Sequence, residues 1–401
     1  MGLILTRSPY LVSREGLDNN AQLLVEVGYY DADDGGLVIQ QSYTLRYRNN
    51  FYLDIAPLIR SSIRAEYSYW GSAYTGYKYN KESRLEFLCY VRITLSGSIS
   101  GTAQSDVITE FFATDGYNYI EDRYNYPATE ELEGKNFYAG SSDVIYKLDD
   151  SNIRIPMLQT NQELLNSAVS GGADVSFYRD GELIETVQFE TDKDFSQTYY
   201  SLVESDSGYD SYLNRIGKAN AILEESKCLD DFFDEFKTSD VDKIIIEVEG
   251  QNPHIIDVKT ISECKYDPYR VTFKNRFGVM EDLWFFKKST RSVSIESERF
   301  RSNELPERVS GAGNVRQDRE YNKNGKTSLT LNSGFVVETL NESFKQLMLS
   351  EEVQLYDFKN DIRSSVIVKD SELQFKTSTN DKLINYTIEV EMSNNIIDNI
   401  S

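Results

Sequence analysis

Histidine and cysteine, the side chains that most often carry chemistry at neutral pH, are scarce in this sequence. Of its 401 residues, one is a histidine, His254, and three are cysteines, Cys89, Cys228 and Cys264. A Ser-His-Asp or Cys-His site would therefore have to use His254. That histidine directly precedes an apolar pair, a context typical of the start of a β-strand. We expect His254 to have a structural role.

Metal-ligating and phosphate-binding patterns are incomplete. The three cysteines and the histidine lack the spacing of a zinc site. Asp31, Asp33 and Asp34 offer the oxygen ligands that calcium prefers, but they do not complete an EF-hand loop. Aspartates in this position more often serve the turn of a hairpin. Residues 311–313 (Gly-Ala-Gly) lack the preceding strand and following helix of a nucleotide-binding loop. The sequence predicts no catalytic residue, no metal site and no cofactor.

Carboxylates and aromatic rings leave two other functions open. The chain has 65 acidic residues, so a carboxylate pair of the glycoside hydrolase type stays an alternative. One short segment is crowded with rings that could stack on sugars, form a protein interface or pack in the fold. These rings belong to Tyr67, Tyr69, Trp70, Tyr74, Tyr77 and Tyr79. A carbohydrate-binding adhesin is therefore the alternative to a purely structural protein.

The overall composition favours a globular, β-rich chain. It contains 28 tyrosines and 20 phenylalanines, and its net charge is −23. This charge disfavours binding to a nucleic-acid backbone. The apolar runs have the length of strands and fall short of a membrane span, so no membrane association is expected. An odd number of widely spaced cysteines indicates three buried thiols in a reducing compartment.

The first part of the chain, residues 1–115, reads as antiparallel strands. Leu23, Val25 and Val27 alternate along one strand, and residues 37–48 return as a second. A short helical turn is expected at residues 54–59, with Pro57 near its start. We predict a β-sandwich domain here.

A mixed α+β domain is predicted for residues 116–265. Asp180 and Gly181 mark the turn of a hairpin over residues 175–189. Apolar residues recur at helical intervals over residues 213–236, which predicts a helix. The aromatic stretch at residues 117–126 has no clear period and is interpreted as an exposed loop.

The C-terminal part, residues 266–401, is again rich in predicted strands. A turn at residues 275–278 separates two of them, and a further strand covers residues 291–301. Residues 302–326 are polar and contain glycine and proline, which predicts a long loop arm. Thr339 and Glu342 fit a capping box that opens a helix over residues 340–350.

Charge is distributed unevenly around the predicted arm. Residues 287–326 contain ten Lys or Arg and six Asp or Glu, a local balance of +4 in a chain of −23. Two interpretations follow. The segment is either a locally basic loop without a role, or an arm that docks on the acidic surface of a neighbouring copy.

Two groups of segments resemble structural proteins of phages that infect gut Bacteroidetes. The first combines residues 8–10 (Ser-Pro-Tyr), two strands and residues 51–59. The second is the strand, Asn-x-aromatic-Gly turn and strand of residues 263–286. Together they are similar to tail or neck components of crAss-like phages, such as a ring, hub or baseplate subunit. The matched segments cover about a quarter of the chain.

The resemblance implies a non-enzymatic structural protein of the phage tail or neck. It implies a homo-oligomeric ring or hub that contacts other tail or neck proteins, a location in the virion, and synthesis in the bacterial cytoplasm. A ring subunit joins one patch to a different patch on the next copy. An acidic body and a basic arm suit that geometry. The adhesin alternative would here be a receptor-binding tail module.

Overall fold

A computed structural model describes most of the chain. The described residues are 2–14, 21–31, 36–47, 51–67, 89–99, 102–103, 107–120, 138–148, 155–158, 173–189, 199–200, 241–248, 252–263, 265–301, 318–360, 362–370 and 383–397. Of these residues, 63% lie in strands and 10% in helices. The prediction of a mainly β protein with antiparallel sheets is therefore confirmed, whereas the sandwich arrangement stays a prediction.

The N-terminal part forms a five-stranded sheet in the order β1-β9-β6-β3-β4. Its neighbouring strands are antiparallel except for β1 and β9, which run parallel. Two further pairs, β2 with β5 and β7 with β8, lie outside this sheet. The strands of this part are β1 (Gly2–Leu5), β2 (Leu11–Arg14), β3 (Ala21–Asp31), β4 (Gly36–Tyr47), β5 (Phe51–Asp54), β6 (Cys89–Ser96), β7 (Ser98–Ile99), β8 (Thr102–Ala103) and β9 (Val107–Thr114).

Helix α1 (Ala56–Tyr67) covers the apolar face of this sheet and is longer than the turn expected from the sequence. Asp54 Oδ1 accepts a hydrogen bond from the Ala56 N–H at 3.1 Å, which satisfies a donor at the helix start. Pro57 is the second helical residue, where it costs no intrahelical hydrogen bond. Ile55, Ile59 and Ile63 follow helical spacing, and all three are completely buried in the core under the sheet.

A second five-stranded sheet has the order β10-β16-β15-β12-β13. Its β12–β13 hairpin confirms the predicted turn, because Asp180 (φ +51°) and Gly181 (φ +83°) both adopt the positive φ that a tight hairpin requires. The strands are β10 (Val144–Leu148), β11 (Met157–Leu158), β12 (Ala173–Arg179), β13 (Glu182–Phe189), β14 (Tyr199–Tyr200), β15 (Lys243–Val248) and β16 (His254–Ile261), of which β11 and β14 form a separate pair.

The C-terminal strands form a seven-stranded sheet in the order β18-β17-β21-β22-β23-β20-β19. The strands are β17 (Tyr269–Lys274), β18 (Met280–Phe285), β19 (Thr290–Arg301), β20 (Asp318–Val337), β21 (Val353–Asp357), β22 (Ile362–Val368) and β23 (Leu383–Met392). Helix α2 (Asn341–Leu349) packs its buried Phe344 against the ring of Tyr386 on β23, with centroids 4.5 Å apart.

Two compact units divide the chain. The first comprises Met1–Ser262 and Lys274–Glu281, and the second comprises Glu263–Phe273 and Asp282–Ser401. The segment Lys274–Glu281, at the turn between β17 and β18, thus belongs to the first unit. We call it the hairpin tip. The three-domain division at residues 115 and 265 stays a prediction.

Two local predictions in the C-terminal part are wrong. The predicted loop arm 302–326 is strand from Asp318 onward, because β20 begins there and pairs with β19. Residues 302–317 lie outside the described residues. The predicted N-cap position is also wrong: α2 begins at Asn341, so its N-cap is Leu340, one residue after Thr339. A 3-10 turn (Glu338–Leu340) precedes the helix and places Thr339 before the cap position.

Candidate interaction arm

The most exposed part of the described structure is the hairpin formed by β19 and the first half of β20. All twelve residues of β19 are exposed, and so are residues 318–323 of β20. We define the arm as residues 290–301 and 318–326. This segment overlaps the basic region identified in the sequence, but it is a two-stranded ribbon rather than a loop.

Strand β19 lies at the edge of its sheet. It pairs with β20 from Thr290 to Arg301, and no other strand of the described residues pairs with it. Strand β20 in turn pairs with β23 only from Ser328 onward. The outer part of the arm is therefore a ribbon with two strands and free strand edges. Free edges present unpaired N–H and C=O groups that can accept another strand.

An apolar patch lies near the base of the arm. We define it as Val293, Ile295 and Ile396, which are 53%, 72% and 53% exposed. Gly325 stands opposite Ile295, and a Cβ on it would lie 3.2 Å from Ile396 Cδ1 and 2.7 Å from the Ser294 carbonyl oxygen. Glycine is therefore needed for the close approach of these three segments.

The C-terminal segment is tied to the arm by hydrogen bonds, which hold Ile396 in the apolar patch. The Ile396 N–H donates to the Gly325 carbonyl at 2.8 Å. Asn324 Oδ1 accepts from the Ile397 N–H at 3.1 Å, and its Nδ2 donates to the Ile397 carbonyl at 3.1 Å. The patch therefore combines residues about 100 positions apart in the sequence.

Ion pairs and rings organise the outer arm. Arg299 and Lys323 both pair with Glu320, the arginine at 2.9 Å. The hydrogen bond from Lys323 lowers the pKa of Glu320, and the charge of Arg299 adds to this effect. The rings of Phe300 and Tyr321 meet edge to face across the strands, with centroids 5.6 Å apart. Such exposed contacts contribute little to stability.

The described residues of the outer arm form a ribbon without a buried core. An isolated two-stranded hairpin is marginally stable in water, because it needs a third strand or an apolar partner to bury its faces. The outer arm has every side chain exposed over residues 296–301 and 318–323. Contact with another surface would supply the missing burial.

The hairpin tip is the second concentration of polar side chains, and it is buried. Asp115 is 4% exposed; its carboxylate accepts from Arg60 Nε at 2.8 Å and from Lys274 Nζ at 3.2 Å. Burial acts to raise the pKa of Asp115, but the charges and hydrogen bonds of Lys274 and Arg60 outweigh it and lower the pKa. This triad links the tip to the end of β9 and to helix α1.

Asn275 organises the turn of the hairpin tip and is completely buried. Its Nδ2 donates to the Ala139 carbonyl at 2.7 Å and to Glu281 Oε2 at 3.0 Å. Its Oδ1 accepts from the N–H groups of Phe277 and Val279 at 3.0 and 3.2 Å. All four hydrogen-bonding positions of the amide are used, so this network is structural.

His254 is the first residue of β16, as the sequence predicts. Its ring stacks on Tyr138 with centroids 4.6 Å apart, and its Nε2 lies 3.2 Å from Asp143 Oδ1. The nearby Ser141 hydroxyl donates to Glu281, and the Ser142 hydroxyl accepts from the Val144 N–H. These serines have other partners, and the structural role of His254 stays a prediction.

Other candidate residues fall partly or wholly outside the described part of the chain. Among the described residues, no group of three or more His, Cys, Asp or Glu could hold a metal ion. No helix among them is long and apolar enough to cross a membrane. The candidates whose side chains lie outside the described residues are Asp31, Asp33, Asp34, Cys89, Cys228, Cys264, the aromatic cluster 67–79, the helix 213–236 and the glycine segment 311–313.

Sequence reasoning identified the arm by its charge but missed its strand pairing and the apolar patch. The strand predicted over residues 291–301 is present as β19, along which Val293 and Ile295 alternate with polar residues. The contribution of Ile396 had no local signal, because it depends on contact with a distant segment. Tyr117, placed in a predicted exposed loop, is buried, and its N–H donates to the Arg276 carbonyl at 2.7 Å.

No protein-family model matches the chain, and no curated protein is significantly similar to it.

Proposed function

We propose that this protein is a non-enzymatic structural subunit that self-associates through the arm, within a bacteriophage tail or neck. The observation that carries the proposal is the exposed ribbon, whose outer part has no buried side chain among the residues that the structure describes. Such a ribbon is stabilised when a partner surface covers it. The assignment to a tail or neck depends on the sequence resemblance alone, because no family model or curated protein matches the chain.

Charge supports a second copy of the chain as the partner. Residues 287–326, which include the arm, carry +4, and the other residues of the chain therefore carry −27. A basic arm is attracted to the acidic body of a neighbouring copy, and complementary potentials fix orientation as well as encounter rate. If one patch meets a different patch on the next copy, the contact repeats around a ring or hub.

The test is the mass of the full chain in solution, measured by light scattering over a range of salt concentrations. We expect oligomers at low salt that dissociate as salt screens the arm. The double variant Arg301→Glu and Arg319→Glu should abolish association. The matched control, Lys259→Glu and Lys359→Glu, makes the same charge change at exposed lysines outside the arm and should leave association intact.

Two results would overturn the proposal. If the wild-type chain is monomeric at all protein and salt concentrations, the proposed self-association is wrong. Equal loss of association in both double variants would show that net charge, and not the arm, is responsible. The phage assignment has its own test, mass spectrometry of purified particles of the phage that encodes the chain. Absence of the chain from those particles would contradict it.

A further inference from the structure

The free edge of β19 has a sequence that can pair with itself. Residues 292–296 read Ser-Val-Ser-Ile-Glu, which is nearly palindromic about Ser294. The structure holds these residues in a regular ladder with β20, before the register shift that follows Glu296. They are exposed and belong to an edge strand. Strand edges of this kind bind a further strand through main-chain hydrogen bonds.

We propose that two copies of the chain join their β19 edges in an antiparallel pair about a two-fold axis at Ser294. This inference rests on the proposed self-association and specifies one contact within it. The seven-stranded sheets of the two copies would then continue into each other. This contact is isologous, so it links copies in pairs and adds to any arm-to-body contact.

Side-chain pairing selects this register. With the axis at Ser294, Val293 of each copy stands opposite Ile295 of the other, and two apolar pairs form on one face. On the other face, the Ser292 hydroxyl stands opposite the Glu296 carboxylate, to which it can donate a hydrogen bond. Directly opposite residues in antiparallel strands have the closest side chains, so such pairs decide the register.

Neighbouring registers are less favourable. An axis at Val293 places Arg291 opposite Ile295. An axis at Ile295 places Arg291 opposite Arg299, and an axis at Glu296 places that carboxylate opposite its own copy. Like charges that stand directly opposite each other destabilise a strand pair. Ile396, beside Ile295 in the apolar patch, would extend the apolar contact of the favoured register.

Single cysteine substitutions in the full-length chain test the register. Opposite Cα atoms in antiparallel strands are about 4.5–5.5 Å apart, within the span of a disulfide. With the axis at Ser294, Ser294→Cys should form a dimer on mild oxidation, read on a non-reducing gel. Two copies of Ser292→Cys should not, because four residues along a strand separate the thiols by about 14 Å.

Mixed samples complete the test. Ser292→Cys and Glu296→Cys should not cross-link alone, but an equimolar mixture should, since these positions stand opposite each other. The wild type, which keeps its three native cysteines, is the background control. Each variant's urea midpoint should match that of the wild type because these positions are exposed.

The outcomes separate this inference from the proposed function. If the arm charge variant abolishes association but Ser294→Cys does not cross-link, the two-fold β19 contact is wrong and the arm binds another surface. Equal cross-linking of Ser292→Cys and Ser294→Cys would also overturn the register. If the wild type never associates, both proposals fail together.

Discussion

The hairpin tip and the arm each belong to a pair of consecutive strands, yet their surroundings are opposite. The tip buries charged and amide side chains, each held by partners within the chain, such as Asp115 with Arg60 and Lys274. The arm exposes charged, aromatic and aliphatic side chains together. A buried polar group requires its partner because desolvation is costly. An exposed ribbon has no such requirement, and its faces stay available to a second molecule.

Under the proposed function, the tip determines stability and the arm determines association. Substitutions in the tip should lower the free energy of unfolding, while those in the arm should alter solution mass with little effect on folding. The following predictions test that division, in order of decreasing expected effect on stability.

Asp115→Asn should have the largest effect. It would leave Lys274, whose side chain is 3% exposed, without its carboxylate partner. Loss of one member of a buried ion pair costs about 3–5 kcal/mol, because the other charge stays buried. Urea unfolding, monitored by circular dichroism, would measure this loss in the free energy of unfolding. Asp267→Asn, which removes an exposed pair with Lys359, should cost no more than about 1 kcal/mol. Equal losses would contradict the proposed role of the tip.

The stabilisation provided by the Asp115 carboxylate should also depend on pH. The pKa of Asp115 is lowered below its ordinary value of 3.8 in the folded protein. As the pH is lowered, the unfolded chain therefore protonates Asp115 at a higher pH than the folded protein does. The stabilisation that the Asp115 carboxylate provides is complete above pH 3.8 and is lost as pH falls through the lowered pKa of the folded state. The stability difference between wild type and Asp115→Asn should narrow below pH 3.8 and stay constant near neutrality. A difference that is independent of pH would argue against an ionised Asp115.

Phe300→Ala should have the smallest effect on global stability, within about 0.5 kcal/mol, because the ring lies on the exposed outer arm. Loss of the contact with Tyr321 should nevertheless reduce amide hydrogen-exchange protection in residues 318–323. Phe273→Ala, at a fully buried position of β17, is the matched control and should cost about 3–5 kcal/mol. Similar urea midpoints for the two variants would remove the distinction between the two regions.

Local patterns predicted many elements of the fold correctly. Alternation identified β3, whose Leu23, Val25 and Val27 are completely buried, because the period of two places every second side chain on one face. The turn at Asp180 and Gly181 was predictable because few residues adopt positive φ at low cost. Pattern reasoning failed at the helix boundaries. Helix α1 continues well past residue 59, and the N-cap of α2 lies one residue after the expected Thr339, since tertiary packing overrides weak local preferences.

Composition and periodicity alone established a mainly β chain, an acidic body and a basic segment near residue 300. Only the tertiary structure decided that this segment is a paired ribbon at a sheet edge, that Ile396 joins Ile295 in an apolar patch, and that the turn at Asn275 is buried with Ala139 and Glu281. The physical reason is the distance along the sequence over which each kind of interaction acts. Backbone preference and alternation act over a few neighbouring residues, whereas burial and strand pairing depend on segments that are far apart in the sequence.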